Sequence, residues 1–414
     1  YALLWLTDMG YWDYLGTYLS IELLSAMVLV PWETLAAEMT NRYEERSRLS
    51  GVRMICSQLG GFLAVSVPGV IMQFTGKDNS FTYTLTGLIF SCVFCIAVFI
   101  TWYSTWEAKD VHQEYDFKVD TQRSSGVINH LKYLVLDLFS SFRIRAFRLH
   151  ILIYIFSFTA MDVFGSVFTY YVVYCLSQDA AAVSGWLSIA AFASVPGTYG
   201  FMLLLNRLNM TPSAALRLSY SCIFLVLAFL FTVYLTKTEV PTLLFSAVFV
   251  LLGAARSGLY YIPWNIYSFI PDIDEIVTQQ RREGIFAGVM VLTRKSTVAI
   301  AIMIIGLVLQ ESGFVKGSGA QPESALGAII GLMIFATAAL LAVSFFATYK
   351  FKLTRETHKV LLKEIARRKL GGDYRDCDAS TRVVIKQLTG YEYDQVWGGD
   401  ATRLAVGENL STVK

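Results

Sequence analysis

The sequence predicts an all-α polytopic membrane protein, and three observations predict it. Of 414 residues, 55% are hydrophobic, 14% aromatic and only 16% charged, whereas an ordinary soluble domain is about one-quarter charged; mean hydropathy is +0.51. Apolar runs of about 20 residues, the length a helix needs to cross a ~30 Å hydrocarbon core, recur along the chain. Lys and Arg gather in alternate connections. The net charge of +2 points to no partner by itself, and nothing in the pattern indicates nucleic acid.

Nine spans follow, at about 12–34, 54–74, 81–104, 149–175, 183–205, 217–236, 241–270, 285–310 and 325–349. Each must be a helix, because an open strand in lipid leaves backbone groups unsatisfied. Tyr1–Trp5 reads as the frayed end of a preceding helix, and the opening on Tyr1, without Met, leads us to expect an incomplete N-terminus. One set of connections holds Arg42, Arg46, Arg48 and Arg53, then Lys109 through Arg148, then Arg207 and Arg217, then Arg281 and Arg282. The opposite set holds only Lys77, Lys237 and Lys316. The positive-inside rule puts the first set and the basic C-terminal tail in the cytoplasm.

The charged stretch 105–148 reads as a cytoplasmic linker between a helical segment 1–104 and a six-helix unit 149–349, with an amphipathic helix over His130–Phe147. In the soluble tail 350–414, Glu356–Leu370 is a basic amphipathic helix stopped by Gly371-Gly372. It can lie on anionic lipid or sit solvated beneath the bundle. Tyr391, Tyr393 and Trp397 are expected to dock on the cytoplasmic face. Small residues that permit close helix approach stand at Gly60, Gly61, Gly69, Gly197 and Gly200.

Little suggests an enzyme. The six cysteines form no disulfide framework. Cys92-x-x-Cys95 lies inside an apolar run with no second pair, so it reads as packing rather than as a metal or redox site. The histidines, at 112, 130, 150 and 358, stand in loops or at a helix edge, and no catalytic constellation or phosphate-binding loop of the G-x-x-x-x-G-K type is present. No cofactor is expected.

The informative stretch is Ile262–Lys295. It reads as the end of one span, an acidic-then-basic hairpin loop, and the start of the next, and it concentrates Asp272, Asp274, Glu275, Arg281, Arg282 and Glu283 between apolar runs. Arg294 and Lys295 fall inside the following run, and Glu22, Asp162 and Arg256 fall inside others. Charge within a span is costly and must pair or face water, so each marks function or a partner. Aromatic faces stack on sugar rings, which gives Trp32 and Trp264, each directly after a Pro, a candidate binding role; an interfacial aromatic belt is the alternative.

Two stretches resemble the glycoside–pentoside–hexuronide cation symporters, the melibiose-carrier branch of the major facilitator superfamily. The first carries Pro263, Trp264, Asp272, Asp274, Glu275, Thr278, Arg281, Arg282, Glu283, Gly284 and Lys295. It departs from the family in a loop about three residues shorter and in Thr278-Gln279 where the family has Thr-Gly. The second is Pro31–Arg53, with Pro31, Trp32, Leu35, Glu38, Thr40, Glu45, Arg46 and Arg53. The resemblance implies a major facilitator fold with twelve helices in two halves, so that the nine spans correspond to helices 4–12. A chain lacking three helices should leave apolar faces unburied.

The resemblance also implies a sugar contact at Arg53, which otherwise latches a loop through Glu38 or Glu45, and a cavity lysine at Lys295 that influences coupling. It places a cytoplasmic gate in Glu38, Arg46, Asp272, Glu275, Arg281, Arg282 and Glu283, with Asp272 paired to Arg281, Arg282 or the segment before Arg53. The family's helix-4 cation Asp reads Leu29 here; Glu22, two turns away on the same face, or Asp162, is the expected proton site. The implied function is H⁺- or Na⁺-coupled symport of a sugar or glycoside/hexuronide by alternating access, as a monomer in the plasma (inner) membrane. A lysophospholipid-type transporter and a non-transporting sensor or scaffold are the alternatives.

Overall fold

The structure is a computed structural model that describes residues 2–5, 10–40, 42–75, 80–106, 138–178, 180–237, 240–280, 282–316 and 320–397. Among these the chain is helical, with no strand. Helix α1 spans Tyr11–Glu38, α2 Tyr43–Thr75 and α3 Ser80–Ser104. They are followed by α4 Arg145–Tyr170, α5 Ala180–Asn206, α6 Pro212–Thr236 and α7 Thr242–Tyr267. Then come the short α8 Ile270–Thr278, α9 Glu283–Glu311, α10 Glu323–Ile330 and α11 Thr337–Lys350. The tail forms α12 Arg355–Lys369 and α13 Ala379–Thr389. A π-type turn over Tyr171–Cys175 extends α4, and another over Gly331–Ala336 joins α10 to α11 in one rod.

Eight helices among the described residues are long and apolar enough to cross a membrane: Tyr11–Leu35, Phe81–Ser104, Arg145–Cys175, Gly185–Asn206, Pro212–Thr236, Thr242–Thr278, Glu283–Glu311 and Glu323–Lys350. They coincide with eight of the nine spans expected from sequence. The ninth, 54–74, is also helical, within α2, and several of its side chains lie outside the described residues. Residues 107–137 of the linker, with the first eight residues of its expected amphipathic helix, lie outside them too; of the rest, 138–141 is helical and a turn over 142–144 separates it from α4, so the helix expected to run through Phe147 is broken there.

The core is the bundle α4–α11, filled by side chains such as Phe147, Tyr154, Phe168, Tyr220, Phe249 and Phe286. Its tightest seam joins α5 to α7. A Cβ added to Gly253 would stand 2.0 Å from the Ala190 carbonyl oxygen, and one on Gly197 would stand 2.8 Å from the Ala254 Cα. Gly60, Gly61 and Gly200, expected to serve close packing, instead face open space, because their helices turn those sides away from neighbours. α2 lies across this seam, tied to α5 by Gln58 Nε2 donating to Thr198 Oγ1 (2.7 Å) and to α7 by the Ser47–Tyr261 hydroxyl pair (2.9 Å). α1 packs on α9. The outer sides of α1 and α3 stay uncovered, with Trp12 77%, Met27 66%, Phe99 61% and Trp102 71% exposed, surfaces suited to hydrocarbon rather than water.

The tail folds back onto the end of the bundle marked by α8. α12 starts with a reciprocal Thr354–Thr357 capping box and buries His358, Leu361, Glu364 and Ile365 against protein, the amphipathic face read from sequence. Lys369 reaches Glu275 at 2.7 Å, and Trp397 N–H donates to the Ile276 carbonyl at 3.1 Å. Tyr393 is buried, with its hydroxyl on Glu364. Burial pushes the Glu364 carboxyl up, but hydrogen bonds from Arg367 (2.8 and 2.9 Å) and Tyr393 outweigh it and hold the carboxyl below its ordinary 4.5.

Two outcomes follow. Gly253→Ala should cost about 1–3 kcal/mol through overpacking, read as a lower thermal unfolding midpoint in detergent, while Gly61→Ala should be neutral or stabilise by up to about 1 kcal/mol through helix propensity. A depressed folded-state pKa means that the Glu364 contribution is complete above 4.5 and is lost as pH falls through the lower folded value. Amide-exchange protection of α12 and α13 should therefore hold from neutral pH down to that range and fall below it, and Glu364→Gln should flatten the change.

Candidate functional site

Charged side chains meet in three layers where α1 and α2 face the larger bundle. The first lies at the α8 end. Pro271 opens α8, and Gln279 closes it in a left-handed conformation at φ 60°. All nine of its residues are buried. The expected hairpin loop is instead a helix over its acidic run, driven into protein by Ile270, Ile273 and Ile276, and its carboxylates are met there by basic side chains.

Arg46, in the first turns of α2, donates to Asp272 Oδ2 at 2.5 Å, to the Ser268 carbonyl at 2.9 Å and to the Thr40 carbonyl at 2.6 Å. His358 Nε2 of α12 lies 2.8 Å from the same Asp272 oxygen, and all three side chains are fully buried. Phe269 lines the hub, stacked on Tyr43 at 4.4 Å and edge-on to His358 at 4.8 Å. Both oxygens of Asp274 accept from the Nε–Nη2 edge of Arg282, at 2.8 and 2.6 Å, and Arg282 Nη1 also donates to Ser140. Glu275 pairs with Lys369, and Arg355 with Glu44 of α2. Glu283 is buried at the start of α9, its carbonyl accepting from Tyr267. Arg281 and the Glu38 side chain lie outside the described residues. Of the partners expected for Asp272, the structure selects the segment before Arg53, through Arg46, and adds His358, which sequence reasoning did not include.

The second layer lies seven residues further along α2, ~10 Å at helical rise. The Arg53 guanidinium sits between two indoles, 4.9 Å from the Trp32 ring and 4.6 Å from that of Trp264. Its Nη1 donates to Glu33 Oε2 at 2.5 Å. Its Nε and Nη2 are buried with no hydrogen-bond partner among the described residues. Pro31 and Pro263, inside α1 and α7, stand directly before the two tryptophans; each removes a backbone donor and so frees a carbonyl in the preceding turn. Trp264 contacts Tyr154 edge-on at 5.7 Å. The carboxylate at Arg53 among the described residues is thus Glu33; of the two expected, Glu45 pairs with Arg42 at 3.2 Å and the Glu38 side chain lies outside the described residues. An acidic residue immediately after the Pro-Trp pair was the available signal for Glu33.

The third layer is deeper. Asp162 of α4 takes Arg294 of α9 through two oxygens, one at 2.8 Å. Neighbouring Lys295 pairs with Glu22 of α1, so two residues 273 apart in sequence, both singled out as candidates, meet. Lys295 and Glu22 remain 48% and 40% exposed, against 25% and 19% for Arg294 and Asp162, which makes the α1–α9 pair the more accessible. Arg256 donates to the Tyr260 hydroxyl at 3.0 Å. Aromatic contacts run from layer to layer: Trp264 to Tyr154, Tyr154 to Phe158 at 4.5 Å, Phe158 to Tyr260 at 4.7 Å, with Arg294 over Phe158 at 5.1 Å. Among the described residues no group of His, Cys, Asp and Glu is placed to hold a metal ion.

A helical multi-pass membrane protein with buried cross-helix ion pairs and a polar, aromatic-lined interior defines a transporter-like class. The chain belongs to the MFS/sugar transport protein family, whose model matches residues 6–355. It is 28% identical over 266 residues to an uncharacterized symporter of Synechocystis sp., an alignment taking in 62% of this chain and 47% of that protein, so the chain spans about half the length of that relative. It is 23% identical over 368 residues to the uncharacterized symporter YnaJ of Bacillus subtilis, covering 87% of this chain and 74% of that one. Its fold is that of the E. coli fucose:proton symporter FucP, with a TM-score of 0.57 at 13% identity over 85% of this chain and 80% of that one.

Removing one partner of the hub leaves an uncompensated buried charge. Arg46→Ala or Asp272→Asn should each cost about 3–5 kcal/mol, while Arg46→Met with Asp272→Leu should recover much of the loss. A double-mutant cycle of unfolding midpoints in detergent reads the difference.

Proposed function

We propose that the protein is a secondary active transporter that couples symport of a sugar or glycoside/hexuronide to H⁺ or Na⁺ by alternating access, in the manner of the glycoside–pentoside–hexuronide cation symporters. The Arg53 cage carries this reading. A guanidinium held between two indoles offers hydrogen-bond donors beside aromatic surface, the combination that binds a sugar through its hydroxyls and its apolar ring face. The symporter relatives and the family membership support it.

In this reading α1–α3 stand for helices 4–6 of a major facilitator protein and α4–α11 for helices 7–12, with the α8 end and the tail cytoplasmic. The hub and the Arg282–Asp274 and Lys369–Glu275 pairs are the inner gate, closed in this arrangement. Glu22 and Asp162 are the coupling carboxylates, each held by a base, Lys295 or Arg294. Neutralising either carboxylate releases its base into the interior, where an unpaired charge is costly. That cost shifts the balance between gate-closed and gate-open forms.

The test is uptake by the purified full-length protein in proteoliposomes, with labelled glycosides, pentosides and hexuronides under imposed Na⁺ and pH gradients. One gradient should drive uptake of at least one of them, and Lys295→Ala or Arg53→Ala should abolish the stimulation. If H⁺ couples through Glu22, Glu22→Gln should remove the pH dependence. Folded protein that takes up none of these solutes under either gradient sinks the symporter reading.

A further inference from the structure

The tail carries a buried titratable group that transport does not use, His358. We propose that α12 is a pH-sensitive latch on the inner gate, clamped while His358 is neutral and released as the cytoplasm acidifies; its hold on a gate rests on the function proposed above, whereas the proton-linked seat stands on the contacts alone.

The first argument is where α12 reaches. Toward α2, Arg355 pairs with Glu44, and the His358 ring lies 5.9 Å from that of Tyr43. Arg355 also donates to Asn209, between α5 and α6, at 2.9 Å. Toward α8, His358 meets Asp272, Lys369 meets Glu275, and Trp397 N–H reaches the Ile276 carbonyl. The seated tail therefore spans α2 and α8, the two elements that must part for the inner side to open. α12 and α13 hold each other through Glu364, Arg367 and Tyr393, so the tail can leave as a folded unit.

The second argument is that the seat fits a neutral imidazole. Asp272 is an acceptor, so Nε2 carries the ring proton across the 2.8 Å contact, and Nδ1 is buried with no partner among the described residues. Arg46 donates to the same Asp272 oxygen at 2.5 Å and lies 3.5 Å from the other, so the carboxylate charge is matched before His358 contributes any. A second proton on the ring would put another cation into a site whose three side chains are fully buried, with an N–H at Nδ1 that has no acceptor there. Both are costly away from water. The surrounding groups do not absorb that charge. On α2, Glu44 is taken by Arg355, and burial pushes the Tyr43 hydroxyl up to about 12, which keeps it neutral. On α8, Asp274 and Glu275 are held by Arg282 and Lys369. On α12 itself, Glu364 is held by Arg367, and Glu356 and Lys359 are exposed. Proton uptake therefore favours the released tail, where the ring meets water.

Hydrogen exchange of the purified full-length protein, with no solute present, tests this. Corrected for the intrinsic pH dependence of exchange, protection of the α8 amides should fall about tenfold from pH 7.5 to pH 5.5, the factor expected one pH unit below the ordinary imidazole value of about 6.5 when the seat takes no proton. α12 and α13 should stay protected over that range, since their own acid transition lies below 4.5, and so should α4 and α6. His358→Gln, neutral at every pH and still a donor to Asp272, should keep α8 protected and flatten the profile. The unaltered protein needs no variant to fold: an α8 profile that is flat, or that rises on acidification, overturns the latch. Loss of protection in α12 and α13 together with α8 marks melting rather than release and overturns it too, as does a pH dependence that survives His358→Gln. A flat profile in protein that shows gradient-driven uptake defeats the latch and leaves the symporter standing. Folded protein that takes up no solute yet shows the profile keeps the proton-linked seat and loses the transport reading.

Discussion

The structure depends on one buried ionic contact, that of Asp272 with Arg46 and His358. A carboxylate and a guanidinium removed from water lose solvation that only close, multiply bonded geometry restores. The hub supplies it: Arg46 also satisfies the Ser268 and Thr40 carbonyls, and Phe269 and Tyr43 seal the group from solvent. Because its members come from α2, α8 and α12, the contact fixes how the first helices, the end of the bundle and the tail stand against one another. The α8 carboxylates then have partners set by that arrangement, Arg282 for Asp274 and Lys369 for Glu275.

Above the hub the layers change in character. The hub is fully buried, with only the His358 Nδ1 left without a partner among the described residues, the Arg53 layer is largely buried with two donors open, and the Glu22–Lys295 pair is nearly half exposed. That gradient separates a part that holds the helices from parts with capacity left to engage something else. The interhelix pairs of the deeper layers are also the contacts by which α1 and α9, and α4 and α9, sense each other's charge.

Much of this was legible in the sequence. The span positions follow from bilayer-length apolar runs, and eight of the helices fall where the runs do. Glu22, Asp162, Arg294 and Lys295 stood out because charge inside an apolar run demands a partner, although the sequence did not say which pairs form. The acidic run at 272–275 was read as a loop whose acids pair with nearby bases, and it is a buried helix; composition alone does not reveal that helix, nor that His358 and Lys369 arrive from the tail to join Arg46 and Arg282 around it. Glu33 escaped notice because it sits beside the Pro-Trp motif near the end of a span, where a charge looks ordinary; only the position of Arg53 gives it meaning. The glycines show the same limit. Gly253 and Gly61 look alike on a helix, and which of them abuts a backbone is decided by how α5, α7 and α2 rotate on one another.

The hub also bears on how the chain assembles. Arg46 and Asp272 are 226 residues apart, and His358 follows Asp272 by a further 86. Contacts of such separation form late, after the loop-closure entropy between them has been overcome. His358 follows the eight described spans in sequence, so it is synthesised after them. The nascent bundle therefore passes through a stage in which Arg46 and Asp272 lack their third partner. A chain stalled before residue 358 lacks that contact and is distinguishable from the finished protein by it.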